Sequence, residues 1–157
     1  MSIIIAVSLI FALLGVAVIF GADVLAAVVL RPVYAGVDER TLVQAVGRGH
    51  HFGDKRLPLA GISGVVFTVI AAAAGLLGGR TPSGALAAAA LCLLLIWLLL
   101  FARISKPINA RLTAAALADE IPSDARALQD RWESIIDLRA VLQGAAFVLL
   151  AVALFLA

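Results

Sequence analysis

The sequence predicts an all-α integral membrane protein: a four-helix bundle, N-out and C-out, with two long cytoplasmic connections. Three observations carry this reading. The 157 residues are 64% hydrophobic and only 14% charged, far from the balance of a soluble domain. Four apolar stretches, about 3–30, 57–77, 84–102 and 135–157, match the roughly 20 helical residues needed to cross about 30 Å of hydrocarbon. Of the twelve Lys and Arg residues, all but Arg80 fall between the first and second or around the third and fourth stretches. By the positive-inside rule those connections face the cytoplasm. A single four-helix domain over 1–157 is therefore expected, in a bacterial plasma (inner) membrane with its polar loops cytoplasmic.

The first stretch has no Lys/Arg-rich start and is longer than the apolar core of a signal peptide, so it reads as a retained helix. It leads into Arg31-Pro32 and then "TLVQAV" (41–46), whose spacing permits a short interfacial helix. "GRGHHFGDKR" (47–56) reads as an irregular approach to the second helix, with Pro58 tolerable in its first turn. In the second helix Ala60 with Gly64 and Ala71 with Gly75, and in the fourth Ala140 with Gly144, set small residues four apart. That spacing lets helix backbones approach closely, within one bundle or between copies in an oligomer.

The third helix contains the lone Cys92, which excludes an intramolecular disulfide, and Trp97, which reads as lipid-facing or packing. It ends in "KPINARL" (106–112), where Pro107 is expected to bend or interrupt it and free Asn109 for a polar pocket. Lys106-Pro107 echoes Arg31-Pro32, which suggests a duplicated hairpin. Ser123 is a candidate N-cap for a fourth helix running continuously from the cytoplasm into the bilayer.

Asp23 lies inside the first apolar run, two turns before Leu30, about 10 Å deep at about 1.5 Å rise per residue. A bare carboxylate near mid-membrane costs about 2.5–3.5 kcal/mol, so it needs a partner and is a functional candidate by default. Trp132, Ile136, Arg139 and Gln143 share one face of the fourth helix, and Arg139 enters from the same side as Asp23. Asp23 with Arg139 is thus the candidate catalytic pair, and Asn109, Trp132 and Gln143 the candidate substrate-binding groups. His50, His51 and Asp54 are a candidate metal set, since His50 and Asp54 share a face if 50–54 is helical; Asp23 or Asn109 would have to complete it. The cofactor is accordingly either a transition metal or none. No phosphate loop, Ser-His-Asp set or nucleic-acid surface is present in the sequence.

"KPINARL" followed by "LQDRWESIIDLRAVLQGAAFVLLAVAL", with looser matches at "RPVYAGV" and "RLPLAGISG", resembles the anthrone oxygenase-like family of small four-helix membrane proteins. The resemblance implies oxidation of an anthrone- or quinone-like polycyclic phenol by molecular oxygen without flavin or haem. It implies that Asn109, Trp132 and Arg139 line the pocket, with Asp23 as the base and Arg139 stabilising an oxyanion. The family often has a polar residue four after the tryptophan, where this chain has Ile136. Besides such a redox enzyme on a lipophilic aromatic substrate, two readings stay open: a non-catalytic membrane scaffold, and an ion-coupled small transporter. The expected partners are the lipid bilayer and a lipophilic small molecule.

Overall fold

The computed structural model describes residues 2–157, and every element among them is helical. Helix α1 (Ser2–Leu25) passes through a π-helical turn (Ala26–Leu30) into α2 (Arg31–Ala35). Then come α3 (Glu39–Arg56), α4 (Pro58–Leu77) and α5 (Thr81–Leu100), the last passing through a second π-helical turn (Phe101–Ser105) into α6 (Lys106–Ala118). Helices α7 (Ala125–Glu133) and α8 (Ile136–Phe155) complete the chain. Four helical runs are long and apolar enough to cross a membrane: Ile3–Ala35, Pro58–Leu77, Thr81–Ala118 and Ala125–Phe155.

Both π-turns have one chemical cause. A proline lacks an N–H and its ring collides with the carbonyl four residues back, here Val28 for Pro32 and Arg103 for Pro107. Each helix widens ahead of its proline instead of breaking: the N–H of Arg31 bonds to Ala26 O, and that of Lys106 to Phe101 O. The interruption expected at Pro107 therefore does not occur, and the third span continues to Ala118.

In the bundle α1 packs against α4 and α8, and α5 packs against the same two from the opposite side. Ile5, Leu9, Val16, Leu94, Ala146 and Leu150 fill the space between them. The small residues of α4 are used inside the chain. Gly64 lies against Gly15 and Val16, and Gly75 against Gly84, with no room for a side chain at Gly15, Gly75 or Gly84. Outward faces carry exposed Leu14, Leu59, Leu77, Val141 and Phe155, as a lipid-facing surface requires. Cys92 is exposed on this surface.

At the polar end α3 lies along α6 and α7 closes over both. Leu42, Val46, Ile108 and Leu112 form the seam, and Gly47 fits against the Leu112 carbonyl and Ala116. Three expectations are corrected at this end. The stretch 47–56 is helical, because Asp38 caps the N-terminus of α3 through Thr41 and burial on α6 outweighs its glycines. The fourth span, Ala125–Phe155, is not one uninterrupted α-helix: a turn at Ser134–Ile135 separates α7 from α8, and there the Ser134 hydroxyl donates to the Arg131 carbonyl. Nor does Ser123 cap α7. Asp124 precedes that helix, with its carboxylate taken by both Arg111 Nη atoms at 3.0 Å.

Candidate functional site

Where the bundle meets the polar cap, the four spans and α3 line an open cavity of about 500 Å3, within the ~300–1,000 Å3 usual for small-molecule sites. Its walls are mostly apolar and aromatic, with Ile19, Ala26, Leu57, Trp97, Phe101 and Trp132 among them.

At the membrane end Asp23, 3% exposed, meets Arg139, 5% exposed. Arg139 Nη2 donates to Asp23 Oδ1 at 2.6 Å, and Trp97 Nε1 donates to Oδ2 at 2.9 Å. Arg139 Nη1 donates to Ser105 Oγ at 2.8 Å. The guanidinium carbon lies 5.4, 5.7 and 5.3 Å from the ring centres of Trp97, Phe101 and Trp132. A cation enclosed by ring faces is attracted by their quadrupoles, which offsets part of its desolvation. The second π-turn contributes directly, since Phe101 and Ser105 are its first and last residues.

A second chain of hydrogen bonds ties the bundle to α3. Trp132 Nε1 donates to Asn109 Oδ1 at 3.0 Å, and Asn109 Nδ2 donates to both Asp54 oxygens at 3.0 and 3.2 Å. His50, on the cavity wall, tilts against Trp132 with ring centres 5.5 Å apart. Its Nε2 is sealed from solvent and has no hydrogen-bond partner among the described residues. Burial, and secondarily the Arg139 charge, push this imidazole down to about 4, so it is neutral at physiological pH. Gln129 donates to Glu133 at 2.7 Å and keeps an unpaired Oε1, as Arg139 keeps an unpaired Nε.

The structure thus brings together Asp23, Arg139, Asn109, Trp132, His50 and Asp54. It does not bring in two of the residues that the sequence singles out. Gln143 is buried one turn beyond Arg139 but is not part of the cavity wall. His51 turns to Lys55 Nζ at 3.0 Å and packs edge-on against Phe52, because neighbouring residues on a helix diverge by about 100°. The trio of His50, His51 and Asp54 therefore does not converge. Among the described residues, no group of three or more His, Cys, Asp or Glu side chains is placed to hold a metal.

Trp97 is the main correction in the other direction. The sequence reads it as lipid-facing or packing; it packs in the core with Ile19 and Leu142 and does not face lipid, and it also donates to Asp23. Trp97, Phe101, Ser105 and Asn109 recur every four residues, a single-face signal that connects the third span to the site. Ile136, standing at the position where a polar group is expected, is fully buried at the start of α8. Its neighbour Asp137 faces away and pairs with Arg31 at 2.7 Å.

A family model described as anthrone oxygenase matches residues 50–149. That segment includes His50, Asp54, Trp97, Asn109, Trp132 and Arg139, and leaves out Asp23. No curated protein and no solved structure matches the chain.

Proposed function

The chain belongs to the anthrone oxygenase family, and on that premise we propose that it is a membrane-embedded oxygenase of a lipophilic, electron-rich aromatic substrate of the anthrone or quinone type. The observation that carries the reading is the buried Asp23–Arg139 pair inside an aromatic-walled cavity. A charged pair withdrawn from water costs several kcal/mol per ion before its mutual attraction is counted, and packing alone is served better by apolar side chains. Its position beside a cavity of ligand size gives the pair a use.

The reaction is oxidation of a ring methylene to a carbonyl: CH2 + O2 → C=O + H2O. Loss of a proton makes the ring system an electron-rich anion, which combines with oxygen, and elimination of water from the resulting hydroperoxide leaves the carbonyl. Asp23 is the proposed proton acceptor. A carboxylate offers about four acceptor positions, and two of them are taken, by Trp97 and Arg139. Arg139 is the proposed oxyanion partner, held in orientation by Ser105 and Asp23 so that no reorganisation is needed as charge develops. Trp132 and Asn109 form the side wall. The aromatic and apolar side chains beside the pair lower the local dielectric, which strengthens each of these interactions.

We place the polar end of the bundle in the cytoplasm on the distribution of Lys and Arg. The substrate reaches the cavity from the bilayer or from that face.

The test is turnover of anthrone in air by detergent-purified protein, following quinone absorbance and oxygen uptake together. One oxygen consumed per quinone formed is expected. Arg139→Gln should lower the rate by about 10²–10³, the usual loss on removing an oxyanion donor. Asp23→Asn should lower it comparably, with insertion and helicity checked by circular dichroism. Full turnover in both variants overturns the reading.

A further inference from the structure

Helix α3 carries Gly47, Gly49 and Gly53 in its body. Glycine is the poorest helix former after proline, so each of these calls for a reason. Gly47 has one: a side chain there would strike the Leu112 carbonyl and Ala116 on α6. Gly49 and Gly53 do not. A methyl at Gly49 would meet no atom within 4 Å, and one at Gly53 only Leu57 Cδ1 at 3.8 Å. Both residues line the cavity.

Four residues apart, Gly49 and Gly53 lie one above the other on the same helix face. They form a smooth strip beside the ridge of Val46, His50 and Asp54, which also borders the cavity. That ridge is fixed from the other side: Asp54 is held by Asn109, and His50 rests against Trp132. The empty strip is therefore not an accident of mobile side chains. It is a flat piece of wall in a cavity that also carries the rings of Trp97, Phe101 and Trp132.

A second observation points to a ligand in the same space. Gln129 and Arg139, 4% and 5% exposed, both line this cavity, and Gln129 Oε1 and Arg139 Nε have no hydrogen-bond partner among the described residues. Buried polar atoms without partners are costly, and a bound molecule with polar edges would satisfy them.

We propose that Gly49 and Gly53 are specificity-determining residues of this cavity, a side-chain-free shelf on which a flat, fused ring system lies with its edge against His50 and Asp54. The inference rests on the aromatic-substrate reading and adds which part of the wall selects for the width of the ring system: Gly49 and Gly53. A one-ring phenol fits the cavity without using the shelf.

The test uses the full chain in detergent and two unreactive probes, anthraquinone and phenol. Binding is read from quenching of the chain's two tryptophans, Trp97 and Trp132, both of which line the cavity. Gly49→Leu and Gly53→Leu should each weaken anthraquinone binding by about tenfold or more while phenol binding changes by less than about twofold, since a pocket filled by a side chain rejects the larger ligand. A Gly49→Ala, Gly53→Ala double variant is the control for folding. It should melt at or above the wild-type temperature and still bind anthraquinone more weakly. Wild-type anthraquinone affinity in all these variants overturns the shelf and leaves the aromatic cavity standing. A wild-type protein that binds neither probe overturns the aromatic-substrate reading, and the shelf with it.

Discussion

Trp97 and Asp23 meet across the diagonal of the bundle, indole Nε1 2.9 Å from carboxylate Oδ2. The contact joins α5 to α1, the two helices that pack on opposite sides of α4 and α8. It also fills a position on Asp23 that water would occupy at the surface. Trp97→Phe keeps the stacking on Phe101 but removes the donor. Leaving a buried charged acceptor short of one partner costs about 1–3 kcal/mol, so a lower midpoint in thermal melts of the detergent-solubilised variant is expected. An unchanged midpoint would mean that Oδ2 finds another donor.

The buried pair of Asp23 and Arg139 makes a sharper prediction. Removing either partner alone strands the other, at a cost of about 3–5 kcal/mol, whereas removing both with apolar replacements is often near neutral. Asp23→Leu and Arg139→Met should each be strongly destabilised, and the double variant should recover most of the loss. A double-mutant cycle on melting free energies checks this. Additive losses would show that the two charges are not coupled.

Much of this is readable from the letters, for physical reasons. Apolar length and Lys/Arg placement mark the four spans, because the bilayer imposes both. Asp23 and Arg139 stand out because ionisable residues in apolar runs are costly. Trp97 does not stand out in this way, since an indole is equally at home in lipid, in a core or in a site; only its four-residue spacing to Phe101, Ser105 and Asn109 gives it away. The helical state of 47–56 is hidden by its glycines, which local propensity reads as a break. The contact of Gly47 with α6 is what reverses that preference, and it exists only in three dimensions.

Gly15 and Gly21 lie in the same helix and should respond oppositely to one methyl group. At Gly15 a Cβ would collide with the Ala60 carbonyl and the Gly64 backbone, neither of which can move without separating α1 from α4. At Gly21 nothing lies within 4 Å. Overpacking of this kind costs about 1–3 kcal/mol, so Gly15→Ala should lower the melting temperature, and Gly21→Ala should leave it unchanged or raise it slightly. Equal behaviour of the two variants would argue against close α1–α4 packing.

His50 gives the fold a defined pH dependence. Its imidazole is held neutral in the folded chain, pushed from its ordinary 6.5 down to about 4 by burial first and by the Arg139 charge second. The unfolded chain takes up the proton near the ordinary value, while the folded chain does so only near the depressed one. Between those two values the unfolded state binds more protons, so stability rises with pH across that window. Above the window both states are neutral and this residue contributes no slope. Below it both are protonated and the loss has reached its full extent, about 3 kcal/mol, since each pH unit crossed costs about 1.4 kcal/mol. Melting curves of wild type and His50→Leu, recorded from neutral pH down to about pH 4.5, separate this effect from the carboxylates, which titrate in both. The wild type should lose stability more steeply than the variant on acidification. Parallel curves would mean that the imidazole reaches water in the folded protein, and that its place against Trp132 is not sealed.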